Sequence, residues 1–443
     1  MDRVGPASIA PETGQLRRGL TLGALVALVV GNQLGTSLYT LPASVANAAG
    51  PLGVVSWLVG AVGFWMLAEV FAGLGPRFER TGGPYVFADA AFGRFVGFQT
   101  AWCYWLSVWV GNVAIVTGVV AYVGFFVPAV DDVPMVRFVL AQALLWGAAW
   151  LNVRGVRESG RVQLVLLVLN VVPFVLLALS LRAFDAANFT PLAPHGMRGM
   201  GAGVVLLVWA FSGVESATVA AEEVVGGGEA IRRGTRIGFA IAAVMFILAA
   251  VVVTGVLPSD AIGATARPLS LVVERALGPW GGTAIAVLGV VTAFACLNGW
   301  TLLLGRIPLS AARDGVFPRA FAAVHPRHGT PARGLLTGTA FASLGLLTYF
   351  SQTLLQAFEK LVLLANFGIL LMYLLCAAAA VVLCWTPGRV TPERERKWLR
   401  AVAVGGFAFV GWVIANIDVG TLAWGSLVVV LGVPMYIFGT RER

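Results

Sequence analysis

Residues 31–44 of the sequence read GNQLGTSLYTLPAS, and they interrupt an apolar run, residues 20–49, that is long enough to cross a bilayer. The middle of this stretch, Gly35-Thr36-Ser37, joins a poor helix former to two hydroxyl residues that compete for backbone hydrogen bonds. Pro42 removes one more backbone donor. Because hydrocarbon tolerates a loosened backbone only where it lines an enclosed cavity, we predict a broken helix whose gap is a binding site near the membrane middle.

A second interrupted stretch lies much later in the chain, at residues 209–215, which read WAFSGVE. Two broken hydrophobic segments at matching places in two halves of a chain are typical of the substrate site of a secondary transporter. The backbone N–H groups at Gly35, Thr36 and Ser37 would bind a carboxylate, and the carbonyl groups before Gly213 would accept from an ammonium group. The alternative is that both glycines only permit close contacts between helices.

The composition indicates a membrane protein. Of 443 residues, 58% are hydrophobic and only 12% are charged, whereas a soluble protein carries roughly a quarter charged residues. The net charge of +9 does not indicate nucleic-acid binding, because the basic residues lie in short loops between apolar blocks. We predict an all-α, polytopic protein whose partners are membrane lipids and a small-molecule substrate, with no nucleic acid; a homodimer is left open.

The apolar blocks predict twelve transmembrane helices. The predicted spans are residues 20–48, 52–74, 92–128, 134–152, 161–183, 200–224, 235–257, 276–312, 333–352, 356–385, 399–417 and 420–438. We assign residues 1–19 to an N-terminal tail, 20–385 to a transport core of ten spans, 386–398 to a loop, 399–438 to spans 11 and 12, and 439–443 to a C-terminal tail.

The basic residues predict the orientation. With a cytoplasmic N-terminus, most of the 30 Lys and Arg residues fall in cytoplasmic segments. Those that fall outside are Arg137, Arg182, Arg198, Arg267, Arg275 and Lys360. Since cytoplasmic loops are enriched in positive charge, we expect both termini to be cytoplasmic and the protein to lie in the inner membrane.

Glu215 is the most informative single residue, because an acid inside a span is rare and costly. It lies beside the second interruption, six residues after Trp209. We expect it either to respond to protons or to pair with a cationic substrate. The alternative is a permanently hydrogen-bonded acid that stabilises the broken helix.

Other polar or aromatic residues within the spans allow two interpretations. Trp209 and Trp300 lie beside polar or glycine positions, where an aromatic face can attract a cation, but most of the 14 tryptophans are expected in the core or at the interface. Asn112 and Asn366 are amides within spans, and each needs a partner. Contact with a ligand and a bond between helices are equally consistent with the sequence.

Enzyme signatures are missing from the sequence, which has no P-loop, no HExxH and no nucleophile elbow. The four cysteines lie in apolar segments without paired spacing, so we expect neither disulfides nor metal ligands. We therefore predict a protein that is not an enzyme, uses no cofactor and draws energy from gradients.

Six motifs resemble the amino acid–polyamine–organocation superfamily, and among its members most of all the bacterial arginine/agmatine antiporters. They are GNQLGTSLYTLPA, TGGPYVFADAAFG, YWLSVWVGN, VWAFSGVESA, NGWTLLLG and AARDGVFP, and the resemblance extends over nearly the whole chain. It implies two inverted repeats of five spans, with a site between broken spans 1 and 6.

The resemblance also implies roles for individual residues. It implies that Thr36 and Ser37 form the turn that binds the carboxylate, and that Gly213 lies at the break that meets the amine. It implies that Trp209 forms an aromatic wall, that Trp300 stacks on a guanidinium group and that Asn112 contacts the far end of the substrate. Tyr104 and Glu215 are implied to act in gating or proton response. The chain departs from the family where Gly35-Thr36-Ser37 replaces Gly-Ser-Gly, where Ser212 precedes Gly213, and where Ala365, beside Asn366, replaces a serine. We expect these departures to change the pocket lining.

These observations predict a secondary transporter of amino acids or amines that works by alternating access. The preferred mechanism is exchange with a cationic amino acid or polyamine-type substrate. One alternative is a proton-coupled symporter of neutral amino acids on the same fold. A more distant alternative is a membrane sensor that does not transport.

Overall fold

The structure is a computed structural model that describes residues 16–258, 261–262, 267–385, 393–417 and 419–441. Within these ranges the chain is helical and contains no β-strand, apart from one isolated backbone pairing between Leu20 and Val224. The predicted tails, 1–19 and 439–443, and the predicted loop 386–398 lie partly outside the described residues.

Eighteen α-helices follow one another in the described residues. They are α1 Leu22–Leu34, α2 Ser37–Ala49, α3 Gly53–Leu74, α4 Pro84–Phe92, α5 Arg94–Gly124, α6 Pro128–Asp132, α7 Pro134–Arg154, α8 Val156–Leu169, α9 Val171–Ser180, α10 Gly196–Phe211, α11 Ser216–Val219, α12 Gly227–Val256, α13 Pro268–Leu277, α14 Pro279–Arg313, α15 Ala332–Gly345, α16 Gln352–Trp385, α17 Glu393–Ala415 and α18 Val419–Arg441.

Ten helical segments of the described chain are long and apolar enough to cross a membrane, which confirms an all-α, polytopic membrane protein. The first, Leu22–Arg77, is 56 residues long and contains the first two predicted spans except residues 20 and 21. The ninth predicted span, 333–352, corresponds to α15 and a short 3₁₀-helix, Leu346–Phe350, and is not among the ten. The number twelve therefore stays a prediction.

Both predicted interruptions are present, and each contains a glycine that a side chain would strain. The first separates α1 from α2 at Gly35 and Thr36, and Gly35 has φ +31°. The second separates α10 from α11 at residues 212–215, and Gly213 has φ +105°. A residue with a Cβ rarely adopts these backbone angles, so the interruptions follow from the two glycines.

Two corners of the fold correspond to each other, which supports the predicted inverted repeat. The nine-residue α4 turns at Gly93 (φ 85°, ψ 176°) into the 31-residue α5. The ten-residue α13 turns at Gly278 (φ 91°, ψ 178°) into the 35-residue α14. The first corner comes after the broken pair α1 and α2 and the long helix α3, and the second comes after the broken pair α10 and α11 and the long helix α12. The same order of elements in both places is what two related halves of a chain would show.

The faces of the bundle are named here by the start of the first helix. The N-face is the end at which Leu20 pairs with Val224, and the far face is the opposite end. The long helices α5 and α14 pack along each other, and α16 packs along α5. The half-helices α2 and α10 pack together toward the far face, so the two interruptions meet inside the bundle.

Candidate functional site

The two interruptions touch directly. A Cβ atom on Gly213 would lie 2.7 Å from Cβ of Asn32, and a Cβ on Gly35 would lie 2.4 Å from Sγ of Cys296. Asn32 Nδ2 donates to Ser216 Oγ at 2.7 Å, which joins α1 to α11. Substitution of either glycine would therefore separate these segments as well as strain the backbone.

The ends of the broken helices supply unpaired backbone groups of opposite polarity. The helix α2 begins at Ser37, so the first N–H groups after Gly35 have no intrahelical acceptor. The helix α10 ends at Phe211, which leaves its last carbonyl groups without intrahelical donors. Donors from one segment and acceptors from the other therefore face a common interior, as the binding of a zwitterion requires.

A small cavity lies where the interruptions meet. Its volume is about 10 Å³, which is room for a single water molecule. Its walls are formed by Asn32, Thr36, Ser37, Ser107, Gly111, Ile115, Trp209, Ser212, Cys296, Trp300 and Ile369. Because a free amino acid is several times larger than water, these walls must move apart before one can bind.

A larger cavity, the vestibule, adjoins the small cavity toward the far face. Its volume is about 790 Å³, and α2, α5, α10 and α16 contribute to its walls. Thr36 and Trp209 line both cavities and therefore stand between them. The described polar residues of the vestibule wall are threonines and asparagines, and no charged side chain among the described ones lines either cavity.

Glu215 is fully buried, and both of its carboxylate oxygens accept hydrogen bonds. Tyr104 donates its hydroxyl hydrogen to Oε1 at 2.6 Å, and Tyr373 donates to Oε2 at 2.6 Å. The backbone N–H of Gly213 also donates to Oε2, at 3.1 Å. The acid thus joins α5 and α16 to the interruption of the second broken helix. We call these three side chains the Glu215 cluster.

Trp300 lies behind the first interruption. Its indole Nε1 donates to the backbone carbonyl of Asn32 at 3.0 Å, and Cys296, one turn earlier, lies 3.5 Å from the same oxygen. The ring lines the small cavity together with Trp209. Two tryptophans from different helices therefore border the space where the broken segments meet.

Three other predicted residues lie beside these cavities in different surroundings. Asn112 is fully buried, lines neither cavity, and donates from Nδ2 toward Thr301 Oγ1 at 3.4 Å. The carbonyl of Ala365 accepts from Ser107 Oγ at 2.6 Å, while its side chain packs in a separate apolar cluster. Asn366 lines the vestibule.

The N-face end of the bundle is closed by ionic contacts. Arg306 binds Glu223 through two hydrogen bonds, of 2.6 and 2.8 Å, and both side chains are fully buried. The backbone N–H groups of Gly19 and Leu20 donate to the carbonyl of Glu223. The start of the first broken helix is therefore tied to the end of the second.

A second N-face contact centres on Asp314 at the end of α14. Arg80 donates to both of its carboxylate oxygens, at 2.9 and 2.8 Å, and Tyr85 donates to Oδ2 at 2.9 Å. Burial raises the pKa of the Tyr85 hydroxyl, and the negative charge of Asp314 raises it further. The hydroxyl therefore stays protonated and remains a donor at physiological pH.

The sequence analysis did not identify several residues of the site, among them Asn32, Ser107, Cys296, Ile369 and Tyr373. Asn32 lies within the quoted stretch 31–44, and its position three residues before Gly35 was a usable signal. Cys296 was interpreted only as a buried apolar residue, but it also lines the small cavity. Ser107, Ile369 and Tyr373 carry no local signal, because only packing brings their helices to the interruptions.

Comparisons with known proteins identify a family and several similar transporters. The model of the amino acid permease family matches residues 20–437. The arginine/ornithine antiporter of Pseudomonas aeruginosa is 30% identical over 441 residues, covering 96% of this chain and 91% of the relative. A putative arginine/ornithine antiporter of Bacillus subtilis is 28% identical, covering 94% and 96%. The cadaverine/lysine antiporter of Escherichia coli K12 is 32% identical over 323 residues, covering 71% of each chain.

Proposed function

Because this chain belongs to the amino acid permease family, we propose that it exchanges a cationic amino acid for a related amino acid or polyamine-type amine. It is a multi-pass membrane transporter and not an enzyme. The observation that carries the proposal is the junction of two broken helices, which offers free N–H groups on one side and free carbonyl groups on the other.

These backbone groups suit the common part of an amino acid. The N–H groups after Gly35 bind the carboxylate, and the carbonyl groups before Gly213 bind the ammonium group. An amine without a carboxylate uses only the second set. Exchange between an amino acid and its amine therefore needs one site with two separable halves.

The far end of the substrate is where its class is decided. Among the side chains that the structure describes, no charged group lines the small cavity or the vestibule, so aromatic faces and neutral oxygens are the groups available to hold a cation. Trp209 and Trp300 provide the faces, since a desolvated cation over an indole gains about 2 kcal/mol. Asn112, Ala365 and Asn366 are proposed to border the same end once the cavity opens.

We propose that the Glu215 cluster is the gate on the N-face side of the site. It connects α5, α16 and the second interruption, so those elements cannot separate while its three hydrogen bonds persist. Together with the N-face ion pairs, it closes one end of the bundle, while the vestibule leaves the other end open. Alternating access then requires breaking the first set of contacts and closing the vestibule.

The direction of transport follows from the expected orientation. We propose that the N-face is cytoplasmic, that both termini lie there, and that the protein is in the bacterial inner membrane, because basic residues are enriched on that side. The vestibule then lies on the outer side of the closed site. Whether two copies associate does not affect the mechanism, because the site is built within one chain.

Proteoliposomes test exchange directly. With arginine, lysine or ornithine inside, labelled arginine should enter rapidly, and empty vesicles should show little uptake. Vesicles loaded with cadaverine, putrescine or agmatine test whether an amine can be the exchanged substrate. If uptake into empty vesicles is driven by a proton gradient and a neutral amino acid is preferred, the protein is instead a symporter. The uncharged cavity walls would accommodate that substrate.

A further inference from the structure

An apolar cavity outside the transport path lies between α5, α15 and α18, near the N-face. Its volume is about 300 Å³, and aromatic rings from Trp102, Trp105, Phe317 and Phe341 form much of its wall. Trp105 Nε1 donates to the carbonyl of Leu304, and Trp102 Nε1 donates to that of Val428. Since these polar atoms are bonded within the protein, the rings present only apolar surface to the cavity.

The cavity opens sideways toward the membrane. Phe341 on α15 is 43% exposed and Met435 on α18 is 44% exposed, whereas Trp105 and Phe317, deeper in the wall, are 5% and 4% exposed. The mouth is thus formed by apolar side chains of two helices that face lipid. An opening of this kind admits an acyl chain and offers no hydrogen bonds to a polar solute.

Exposed arginines lie at the N-face end of the same cavity. Arg319 stands between Pro318 and Phe321, which both line the wall. Arg333 lies one helical turn before Thr337, which also lines the wall, and it donates to the carbonyl of Ala320. In the described chain, neither guanidinium group lies within ion-pair distance of an acidic side chain.

The position of these arginines suits a phosphate group. Both are exposed at the expected level of the head groups, and α15 begins at Ala332, so its N-terminal N–H groups add partial positive charge beside Arg333. Basic pockets between membrane helices on the cytoplasmic side are known to bind anionic head groups. The charge at this end therefore complements an anionic lipid and not a zwitterionic one.

We propose that this cavity binds an anionic phospholipid of the N-face leaflet, with one acyl chain among the aromatic rings and the phosphate at Arg319 and Arg333. The lipid would fill the space between α5 and α15, and α5 carries Tyr104 of the Glu215 cluster. The proposal does not depend on the substrate of the transporter.

The test uses purified full-length protein in detergent, with phosphatidylglycerol or phosphatidylcholine of the same chains added. Native mass spectrometry should detect bound phosphatidylglycerol, and the apparent Tm should rise with phosphatidylglycerol and not with phosphatidylcholine. Replacing both residues, Arg319→Gln with Arg333→Gln, should raise the lipid concentration for half-maximal response about thirtyfold. Arg161→Gln is the matched control, since α8 carries an exposed N-face arginine and packs mainly against α1, α7 and α14.

A second variant separates the acyl chain from the head group. Thr337→Leu partly fills the cavity without changing charge, so it should weaken phosphatidylglycerol binding while the lipid-free protein keeps its Tm. Equal responses to both lipids, or an unchanged response in the double arginine variant, would overturn the proposal. If native mass spectrometry instead shows that Thr337→Leu abolishes a dimer, and added lipid does not change this, the cavity would be a contact between two copies of the chain.

Discussion

The Tyr373 hydroxyl donates to Glu215 Oε2 at 2.6 Å and so links two residues that are 158 positions apart in the chain. Tyr104 makes the matching bond to Oε1 from α5. Because all three side chains are buried, water cannot replace either bond when the cluster is intact. Opening toward the N-face therefore depends on whether this acid keeps its donors.

Replacing Glu215 by Gln should flatten the pH dependence of exchange. The amide cannot ionise and accepts through only one of its two end atoms, so at least one tyrosine loses its acceptor. Uptake of labelled arginine by proteoliposomes between pH 5 and 8 measures this. Glu229→Gln is the control, because Glu229 is an exposed acid that pairs with Arg233 on the N-face. If the Glu215→Gln profile matches that of the parent, Glu215 serves only to stabilise the broken helix.

Removing one donor should weaken the cluster without removing the acid. Tyr373→Phe leaves Glu215 Oε2 with the backbone N–H of Gly213, and a hydrogen bond to a charged acceptor contributes about 1.5–3 kcal/mol. We expect a lower apparent Tm and a shifted pH profile of exchange. Tyr349→Phe, which removes a longer bond of 3.3 Å to Thr117, should change neither. A Tyr373→Phe profile identical to that of Tyr349→Phe would exclude the gate.

Trp300→Leu should weaken the binding of a cationic substrate by about 1–2 kcal/mol, because it removes the aromatic face. The indole also donates to the carbonyl of Asn32, so Trp300→Phe is needed to separate the two roles. Phenylalanine keeps a ring but cannot donate. Calorimetry with arginine and with a neutral amino acid should show a loss confined to arginine in the leucine variant. An equal loss for both ligands would indicate that Trp300 acts by positioning Asn32.

The sequence predicted the parts of this site that depend on local backbone chemistry. Gly35 and Gly213 interrupt their helices because of their own conformational freedom and their polar neighbours, and both interruptions were predicted from those residues. Glu215 was predicted because an acid within a span is costly wherever it lies. Each of these properties belongs to a single segment and can be read without knowing what packs against it.

The sequence could not predict which side chains meet at the interruptions. Tyr373 on α16 resembles any other buried aromatic residue until the fold brings it to Glu215. For Asn112 the sequence left contact with a ligand and a bond between helices equally open, and in this conformation its amide lies against Thr301. If a helix turned about its axis by the angle of one residue, such neighbours would change. A helix that is hydrophobic on all sides gives no sequence pattern from which this rotation can be predicted.

Breaking the Arg306–Glu223 pair should destabilise the protein strongly. Both side chains are fully buried, and loss of one partner leaves an uncompensated charge, which costs about 3–5 kcal/mol. Glu223→Gln and Arg306→Met should each lower the apparent Tm of the purified protein. The double variant should recover much of this loss, because a buried pair replaced as a whole is often tolerated. Additive losses in the double variant would show that the two residues stabilise the N-face independently.

Thr36 lies between the two cavities, and its methyl group packs against Gly118 of α5, where an added Cβ would lie 2.5 Å from Cγ2. Gly118→Ala should therefore displace Thr36 and narrow the passage from the vestibule to the small cavity. Overpacking of this kind costs about 1–3 kcal/mol of folding stability. The narrower passage should in addition raise the KM of exchange.

The rescue and the control follow from the same contact. Thr36→Ser removes the methyl group and keeps the hydroxyl, so it should restore exchange in the Gly118→Ala background. Gly147→Ala places its Cβ in open space on α7 and should leave the KM unchanged. A Gly118→Ala variant that Thr36→Ser fails to rescue would place the defect in the packing of α5, and Thr36 would then not control access to the site.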